Sequence, residues 1–321
     1  MHRMPTEPLG FIGLGTMGQP MAANLLARGF PLVVYDINPA ALQPARAQGA
    51  RVAHSPQEVG AACRFVITML PAPAHVEEVL AGPDGVIDGM TPGGILIDMS
   101  SIDPGTTRRV GERATARGLR MIDAPVSGAP PKARDGTLTI MVGGEPDVLA
   151  ECRPILEALG EHIVHVGPLG TGEAVKLVNN LLAACHAAAL GEALNIGVRY
   201  GLSPNTLYEV ISTSSGDCWP LRTRIPYPDV LAASPANDEF APGFMVELMY
   251  KDVGLALELA RAVGAPTPLG ELVAQLYGAA RAQGYARKDF SAVARLYQEG
   301  GLDQGDLRPL LECLQAAAAR G

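Results

Sequence analysis

A lysine and two asparagines stand at helical spacing near the middle of the chain, in the stretch from Gly170 to Asn180. Residues three and four apart share one face of a helix, so Lys176, Asn179 and Asn180 can point the same way. A lysine has an ordinary pKa of about 10.4, and burial or nearby positive charge can lower that pKa towards neutrality, where acid–base groups work best. Lys176 is therefore a candidate acid–base group, and Asn180 a candidate for orienting the reacting oxygen. The alternative is an ordinary surface helix whose polar stripe meets solvent.

Lysine is scarce in this chain, which adds weight to Lys176. Only four of the 25 basic residues are lysines, at positions 132, 176, 251 and 288. A chain that prefers arginine keeps lysine where a compact, titratable ammonium matters. We assign no role to Lys132 or Lys288.

A glycine-rich turn near the N-terminus has the spacing that holds phosphate groups. A short apolar run precedes it and a helical pattern follows, which is the context that the GxGxxG motif requires. The first glycine permits a tight turn, the second lets the backbone approach a pyrophosphate, and the third lets the helix pack on the strand. The helix N-terminus offers free N–H groups to the phosphates. The candidate cofactor contacts in this turn are Gly13, Leu14, Gly15, Thr16, Met17 and Gly18.

The next apolar run ends in Asp36, where a dinucleotide-binding fold places an acidic residue. A carboxylate at this position accepts hydrogen bonds from the adenosine ribose hydroxyls and repels a 2′-phosphate. Ile37 and Asn38 provide no arginine to receive such a phosphate. The sequence therefore favours NAD over NADP, the alternative being an aspartate that merely ends a strand.

Strand and helix patterns alternate through the first half of the chain. The strands are predicted at 32–35, 65–70, 95–98, 121–123, 137–142 and 162–166, and the helices at 39–48, 104–117, 146–159 and from Ser55 onward. This alternation predicts an α/β fold with an N-terminal Rossmann-type, doubly wound parallel sheet that binds ligands at the carboxyl ends of its strands. Leu70, Pro71 and Ser101 follow such ends, so they are candidate contacts on the nicotinamide side.

After Gly167 the strand pattern disappears. Helical patterns cover 173–200, 204–213, 244–263, 268–283, 289–297 and 302–321, and the segment 214–242 is predicted to be a long irregular loop. We predict an NAD-binding domain over residues 1–168 and an all-α substrate and dimerisation domain over residues 169–321. The helix 173–200 is too apolar to face solvent, which indicates an interface and hence a homodimer or homotetramer.

Bulk properties exclude several classes of protein. The 321 residues carry a formal charge of −8, which argues against a nucleic-acid partner. No uninterrupted apolar run approaches the roughly 20 residues that cross a bilayer, and the first residues do not resemble a secretory signal. Five scattered cysteines without a CxxC pair indicate reduced thiols and a cytoplasmic location. His162 and His165 are three apart on a predicted strand and face opposite ways, so no metal site is expected.

Four motifs in register resemble the β-hydroxyacid dehydrogenase family over roughly residues 9 to 297. They are the turn beginning at Gly13, the segment Asp123-Ala124-Pro125-Val126-Ser127-Gly128-Ala129, the stretch from Gly170 to Asn180, and Lys251-Asp252-Val253-Gly254-Leu255-Ala256. The resemblance implies that Lys176 is the catalytic lysine. It also implies that Ser127 and Gly128 bind the substrate carboxylate and that Asn180 holds the substrate. Lys251 would lie against cofactor and substrate, and the segments around Trp219 and Phe244 would line the substrate pocket.

Within the family the chain is most similar to the hydroxyisobutyrate branch. This implies NAD-dependent oxidation of 3-hydroxyisobutyrate, a small monocarboxylate, to its semialdehyde. Reduction of tartronate semialdehyde or succinic semialdehyde is an alternative in the same family. A non-catalytic nucleotide-binding module and an imine reductase are further alternatives, against which Lys176 argues. The chain departs from the family at Ala129, where a second glycine is usual, and at Pro130-Pro131, so this loop is expected to be stiffer or displaced.

Overall fold

The computed structural model describes residues 7–298, which lie in two compact units. The first unit runs up to Leu177 and the second begins at Val178. The domain division at residues 168 and 169 stays a prediction. The helix predicted over 302–321 lies outside the described residues.

A sheet with nine strands in the described residues organises the first unit. Its strands are β1 (Leu9–Ile12), β2 (Leu32–Tyr35), β3 (Arg51–Val52), β4 (Phe65–Thr68), β5 (Ile95–Asp98), β6 (Arg120–Asp123), β7 (Val126–Ser127), β8 (Leu138–Gly143) and β9 (Gly160–Gly167). The order is β3-β2-β1-β4-β5-β6-β8, and both β7 and β9 pair with β8. All pairs from β3 to β6 are parallel. The prediction of a Rossmann-type fold with a helical C-terminal part is confirmed.

The sheet is not parallel throughout, because β8 runs antiparallel to β6 and β7. The connection from β7 to β8 contains only the short helix α7 (Ala129–Asp135). A return to the same end of the sheet needs a crossover of a dozen or more residues, so this shorter connection reverses the strand direction. β9 again runs parallel to β8.

Helices cover both faces of the sheet. Besides α7 they are α1 (Gly18–Ala27), α2 (Pro39–Ala47), α3 (Pro56–Ala62), α4 (Pro73–Ala81), α5 (Val86–Gly89), α6 (Pro104–Ala116) and α8 (Pro146–Leu156). Alternate strand residues enter two separate cores, Phe11 and Ile67 on one face and Ile12 and Val66 on the other. This alternation is the doubly wound arrangement expected of a sheet that is buried on both sides.

Several predicted bounds in this unit were wrong. The helices α4, α5 and α7 and the two-residue strands β3 and β7 were not predicted. The predicted strand 65–70 ends at Thr68, although the Met69 N–H still donates to the Ile12 carbonyl at 2.9 Å. Helix α8 ends at Leu156 rather than at residue 159, because the buried Ala158 and Leu159 belong to the turn that follows it.

The second unit is helical throughout its described part. Its elements are α9 (Thr171–Tyr200, which begins in the first unit), α10 (Pro204–Ile211), α11 (Trp219–Arg224), α12 (Val246–Ala262), α13 (Pro268–Ala280), a π turn (Arg281–Tyr285) and two 3-10 helices (Pro235–Asp238 and Phe290–Tyr297). Its main core surrounds the fully buried Tyr277, whose hydroxyl donates to the Phe290 carbonyl at 3.2 Å.

The segment 214–242 is not wholly irregular, as it was predicted to be. It contains α11 and the 3-10 helix Pro235–Asp238. Both helices carry proline in their first turn. Proline is favourable there because its missing N–H has no partner in a first turn. Two of the five prolines of this segment, Pro220 and Pro235, therefore start helices instead of breaking them.

Helix α9 is the one described helix that is long and apolar enough to cross a membrane by length and composition alone. The core helices of soluble proteins satisfy the same criteria. About a third of its most apolar stretch is buried (33%), and Val178, Leu182, Ile196 and Tyr200 are exposed.

Candidate active site

The glycine turn after β1 has the geometry that a pyrophosphate requires. Gly13 has a φ of +95°, and a side chain at Gly18 would collide with the Gly13 carbonyl oxygen. Among residues 7–298, no atom lies within 4 Å of the place where a side chain at Gly15 would project, and no side chain caps the N-terminus of α1. The turn thus combines open space with a helix N-terminus suited to an anion, which fits a dinucleotide.

Asp36 lies at the end of β2 beside this turn. One of its carboxylate oxygens accepts the Leu14 N–H at 2.6 Å, and the other accepts the Asn38 N–H at 2.8 Å. A carboxylate has about four acceptor positions, so two remain for ribose hydroxyls. Ile37, the next residue, is exposed.

The loops after β4 and β5 are tied together on the side predicted for the nicotinamide. The Leu70 N–H donates to the Ser100 hydroxyl at 2.9 Å, and the Ser100 N–H donates to Asp98 at 3.1 Å. Pro71 and Ser101 lie in these same two loops. β4 and β5 are neighbours with their carboxyl ends at one edge of the sheet, so these candidate residues belong to one edge.

Lys176 lies in the second turn of α9 and is 7% exposed. The N-terminus of this helix is bound to the carboxyl end of β6. Asp123 accepts the Gly170 N–H at 2.7 Å and the Glu173 N–H at 2.8 Å. Glu173 in turn accepts the Ile102 N–H at 3.1 Å, from the loop after β5. These contacts bring the turn with Lys176 to the sheet edge that carries the glycine turn.

Buried carboxylates are concentrated at this edge. Burial raises the pKa of Asp98, and the neighbouring Asp123 raises it further, while hydrogen bonds from Ser100 and Thr68 act in the opposite direction. Burial also raises the pKa of Asp123, against the backbone N–H groups that stabilise its charged form. One oxygen of Asp98 accepts no hydrogen bond from the described residues.

The loop predicted to bind the substrate carboxylate begins where β7 ends. Ser127 and Gly128 are partly buried, and Gly128 has a φ of +144°. Ala129 has a φ of +57°, a left-handed conformation that favours glycine. The chain therefore adopts a glycine-type backbone at Ala129 although it carries a side chain there. Pro130 and Pro131 form the first turn of α7.

In the second unit Asn180 is bound by a buried aspartate. Its amide nitrogen donates to Asp252 at 2.6 Å, and its amide oxygen accepts from Asn179 at 3.1 Å. The Lys251 ammonium lies 3.0 Å from the other oxygen of Asp252. Asn180 is 5% exposed, and its amide keeps one N–H for a further acceptor.

Trp219, also in the second unit, belongs to a cluster of aromatic side chains, and an ion pair holds an arginine over its ring. Its ring stacks on Phe290 with centroids 6.3 Å apart, and the Arg224 guanidinium lies 5.4 Å above its centroid. The Arg224 Nε is 3.5 Å from Asp289, a fully buried carboxylate that also accepts the Phe244 N–H at 3.3 Å. Burial raises the pKa of Asp289, and Arg224 acts in the opposite direction.

The sequence analysis assigned no role to five buried carboxylates, of which Asp289 is the one in the aromatic cluster. Asp98 and Asp123 end their strands, so an acidic residue directly after an apolar run was the available signal. Glu173 and Asp252 lie on helices near Lys176 and Lys251. In the sequence they look like ordinary polar residues of a helix surface. Within residues 7–298 no three His, Cys, Asp or Glu side chains form a group that could hold a metal ion.

Two family models together match nearly the whole described chain. One, for the NAD-binding domain of 6-phosphogluconate dehydrogenase, matches residues 8–167. The other, described as the NAD-binding part of NADP-dependent 3-hydroxyisobutyrate dehydrogenase, matches residues 170–297.

Three individual proteins show the same similarity. A 3-hydroxyisobutyrate dehydrogenase from Pseudomonas aeruginosa is 44% identical over 90% of this chain and 98% of its own length. An NAD-dependent L-serine dehydrogenase from the same organism is 43% identical over 91% of this chain and 98% of its own. The solved structure of a Mycobacterium tuberculosis 3-hydroxyisobutyrate dehydrogenase with L-serine has a TM-score of 0.85 and 38% identity, and the match covers 91% of this chain and 99% of that one.

Proposed function

The chain belongs to the β-hydroxyacid dehydrogenase family, and from that premise we propose that it oxidises the primary alcohol of 3-hydroxyisobutyrate to a semialdehyde. It is an NAD-dependent dehydrogenase. The observation that carries the assignment of the site is the burial of Lys176 on a helix whose first turn is hydrogen-bonded to the carboxyl edge of the NAD-binding sheet.

Lys176 acts as the general acid–base group of this reaction. NAD, when bound, supplies the nicotinamide that accepts a hydride from the carbinol carbon. The neutral Nζ of Lys176 takes the hydroxyl proton as the carbon–oxygen double bond forms, and in the reverse direction the ammonium returns it. Asn180, one helical turn further along α9, uses its remaining N–H to orient the reacting oxygen.

We propose the following contacts of the cofactor and the substrate with the other candidate residues. The turn from Gly13 to Gly18 holds the pyrophosphate and Asp36 holds the adenosine ribose. Leu70, Pro71 and Ser101 contact the nicotinamide side, and Lys251 lies against cofactor and substrate. The substrate carboxylate is bound by Ser127 and Gly128, whose hydroxyl and backbone suit a single small carboxylate.

L-Serine is a second candidate substrate, favoured by the serine dehydrogenase at 43% identity and by the solved relative with L-serine. Serine and 3-hydroxyisobutyrate share a hydroxymethyl group next to the carbon that bears the carboxylate. They differ in carrying an ammonium or a methyl group on that carbon. If Trp219 lines the pocket, the cation of Arg224 over its ring disfavours an ammonium, which supports the methyl-bearing substrate.

A substrate panel with NAD tests this proposal. Steady-state kcat/KM is measured for 3-hydroxyisobutyrate, L-serine, glycerate and 4-hydroxybutyrate, the last two being the alcohols of tartronate semialdehyde and succinic semialdehyde. We expect the highest value for 3-hydroxyisobutyrate. A higher value for L-serine would assign the second candidate, and a higher value for either of the other two would refute both.

We also propose that the enzyme works as a cytoplasmic homodimer or homotetramer, on a valine breakdown route if its substrate is 3-hydroxyisobutyrate. Val178, Leu182, Ile196 and Tyr200 are exposed on one helix, α9. Several large apolar side chains exposed together favour contact with a second protein surface, and a second copy of the chain is the simplest partner.

A further inference from the structure

Two buried carboxylates hold the first turn of α9 to the sheet edge. One belongs to the sheet and the other to the turn itself. Asp123, at the end of β6, accepts N–H groups of Gly170 and Glu173 at 2.7 and 2.8 Å. Glu173 reaches back and accepts the Ile102 N–H at 3.1 Å, from the loop that follows β5. Both carboxylate side chains are completely buried. The turn is therefore held to two neighbouring parts of the sheet edge.

The approach of Asp123 to this turn depends on two glycines. A side chain at Gly143 would collide with one oxygen of Asp123. A side chain at Gly172 would come within 2.8 Å of the other oxygen and would collide with the Met141 carbonyl. The sequence thus keeps glycine at the two positions where any other residue would displace this carboxylate.

We propose that Asp123 and Glu173 are positioning residues for Lys176. Asp123 fixes the start of the α9 axis on β6, and Glu173 fixes the rotation of the helix against the loop after β5. A helical turn that is anchored at one point can still rotate about that point, whereas a turn anchored at two points cannot. Lys176 follows Glu173 by three residues on the same helix face, so its ammonium takes the direction that these anchors set.

This inference rests on the proposed role of Lys176, and it has a quantitative consequence. A displacement of about 1 Å at a reacting group lowers turnover by roughly 100-fold. Loosening the anchors should slow proton and hydride transfer while the glycine turn and Asp36, which hold the cofactor elsewhere, stay as they are. A carboxylate that only caps a helix would instead affect stability.

The test compares Asp123→Asn and Glu173→Ala with the wild-type enzyme. In Asp123→Asn an NH₂ group faces one of the two N–H donors, and in Glu173→Ala the Ile102 N–H loses its acceptor. We expect kcat to fall about 10- to 100-fold in each, with the KM for NAD nearly unchanged. The primary deuterium isotope effect on kcat, measured with substrate deuterated at the carbinol carbon, should rise because the chemical step becomes slower. Glu173→Gln keeps an acceptor oxygen and should restore part of the loss.

Ser55→Ala is the matched control, because Ser55 caps α3 through the Glu58 N–H at 3.1 Å, in the same unit. It should lower the melting temperature and leave kcat and the isotope effect unchanged. If Asp123→Asn and Glu173→Ala behave like this control, the positioning role is refuted. If one of them does not fold, the other, together with Glu173→Gln, decides the question. Lys176→Ala is measured in parallel, because retained turnover in that variant would refute the proposed function itself.

Discussion

At the scale of single residues, we propose that the choice of cofactor depends on Asp36. Its two hydrogen bonds hold the carboxylate beside the glycine turn, where it would meet the adenosine ribose. We predict that Asp36→Ala lowers the ratio of kcat/KM with NAD to kcat/KM with NADP, because the repulsion of a 2′-phosphate disappears. Steady-state kinetics with both cofactors measure this ratio. An unchanged ratio would show that Asp36 serves only the structure of the turn.

Asp98 links stability to pH. Because burial raises its pKa in the folded protein above the ordinary value of 3.8, the stability contributed by its neutral form is present below that value. This contribution is lost as the pH rises through the folded pKa. Asp98→Asn mimics the neutral form and keeps an acceptor for Thr68 and Ser100. It should therefore melt at a higher temperature than the wild type at pH 8, with the difference shrinking in acid.

Thermal unfolding of the two proteins between pH 4 and pH 8 measures this difference. Glu112→Gln, at an exposed position on α6, is the control and should change the free energy of unfolding by less than about 0.5 kcal/mol. A difference between Asp98→Asn and the wild type that is the same at every pH would contradict the linkage.

At the scale of elements, two helical glycines differ in what surrounds them. A side chain at Gly172 in α9 would collide with the Met141 carbonyl, whereas no atom of the described residues lies within 4 Å of a side chain placed at Gly254 in α12. We predict that Gly172→Ala destabilises the protein by about 1–3 kcal/mol through overpacking. Gly254→Ala should stabilise it by about 0.5–1 kcal/mol through helix propensity. Denaturant unfolding measures both values, and a similar change in the two variants would contradict the local geometry.

Elements with a clear sequence pattern were predicted almost to the residue. The bounds of β2 and β5 were exact, because a short apolar run between two turns leaves little choice of where the strand begins and ends. Helix α4 was missed because prolines and a glycine flank it, and α5 was missed because it has only four residues. The direction of β8 was missed because it depends on the length of the β7–β8 connection, and β7 itself has only two residues.

Only part of the candidate site could be predicted from the sequence. The glycine turn, Asp36 and the spacing of Lys176 and Asn180 are local patterns, so the sequence alone predicts them. The partners of these residues are distant in sequence. Asp123 meets Glu173 across 50 positions and Asn180 meets Asp252 across 72, and no local pattern predicts such pairs.

At the scale of the whole molecule, the apolar face of α9 predicts self-association. Ile196 is 65% exposed, so a charge there should leave the fold intact and disrupt a subunit contact. We predict that Ile196→Glu shifts the protein to a smaller assembly in size-exclusion chromatography with light scattering. Glu192→Gln, at an exposed position one turn away, is the control and should keep the wild-type mass. A monomeric wild-type protein would contradict the proposal.

The central claim is that Lys176 exchanges the proton of the substrate hydroxyl, and the variant Lys176→Ala tests it most directly. Turnover of 3-hydroxyisobutyrate and NAD binding by fluorescence titration are measured for this variant and for Lys288→Ala, a lysine near the surface that pairs with Glu239 at 3.7 Å. We predict that Lys176→Ala loses at least about 100-fold in kcat, the lower range for an acid–base group, while it still binds NAD. Lys288→Ala should retain normal turnover. Wild-type turnover in Lys176→Ala would contradict the account.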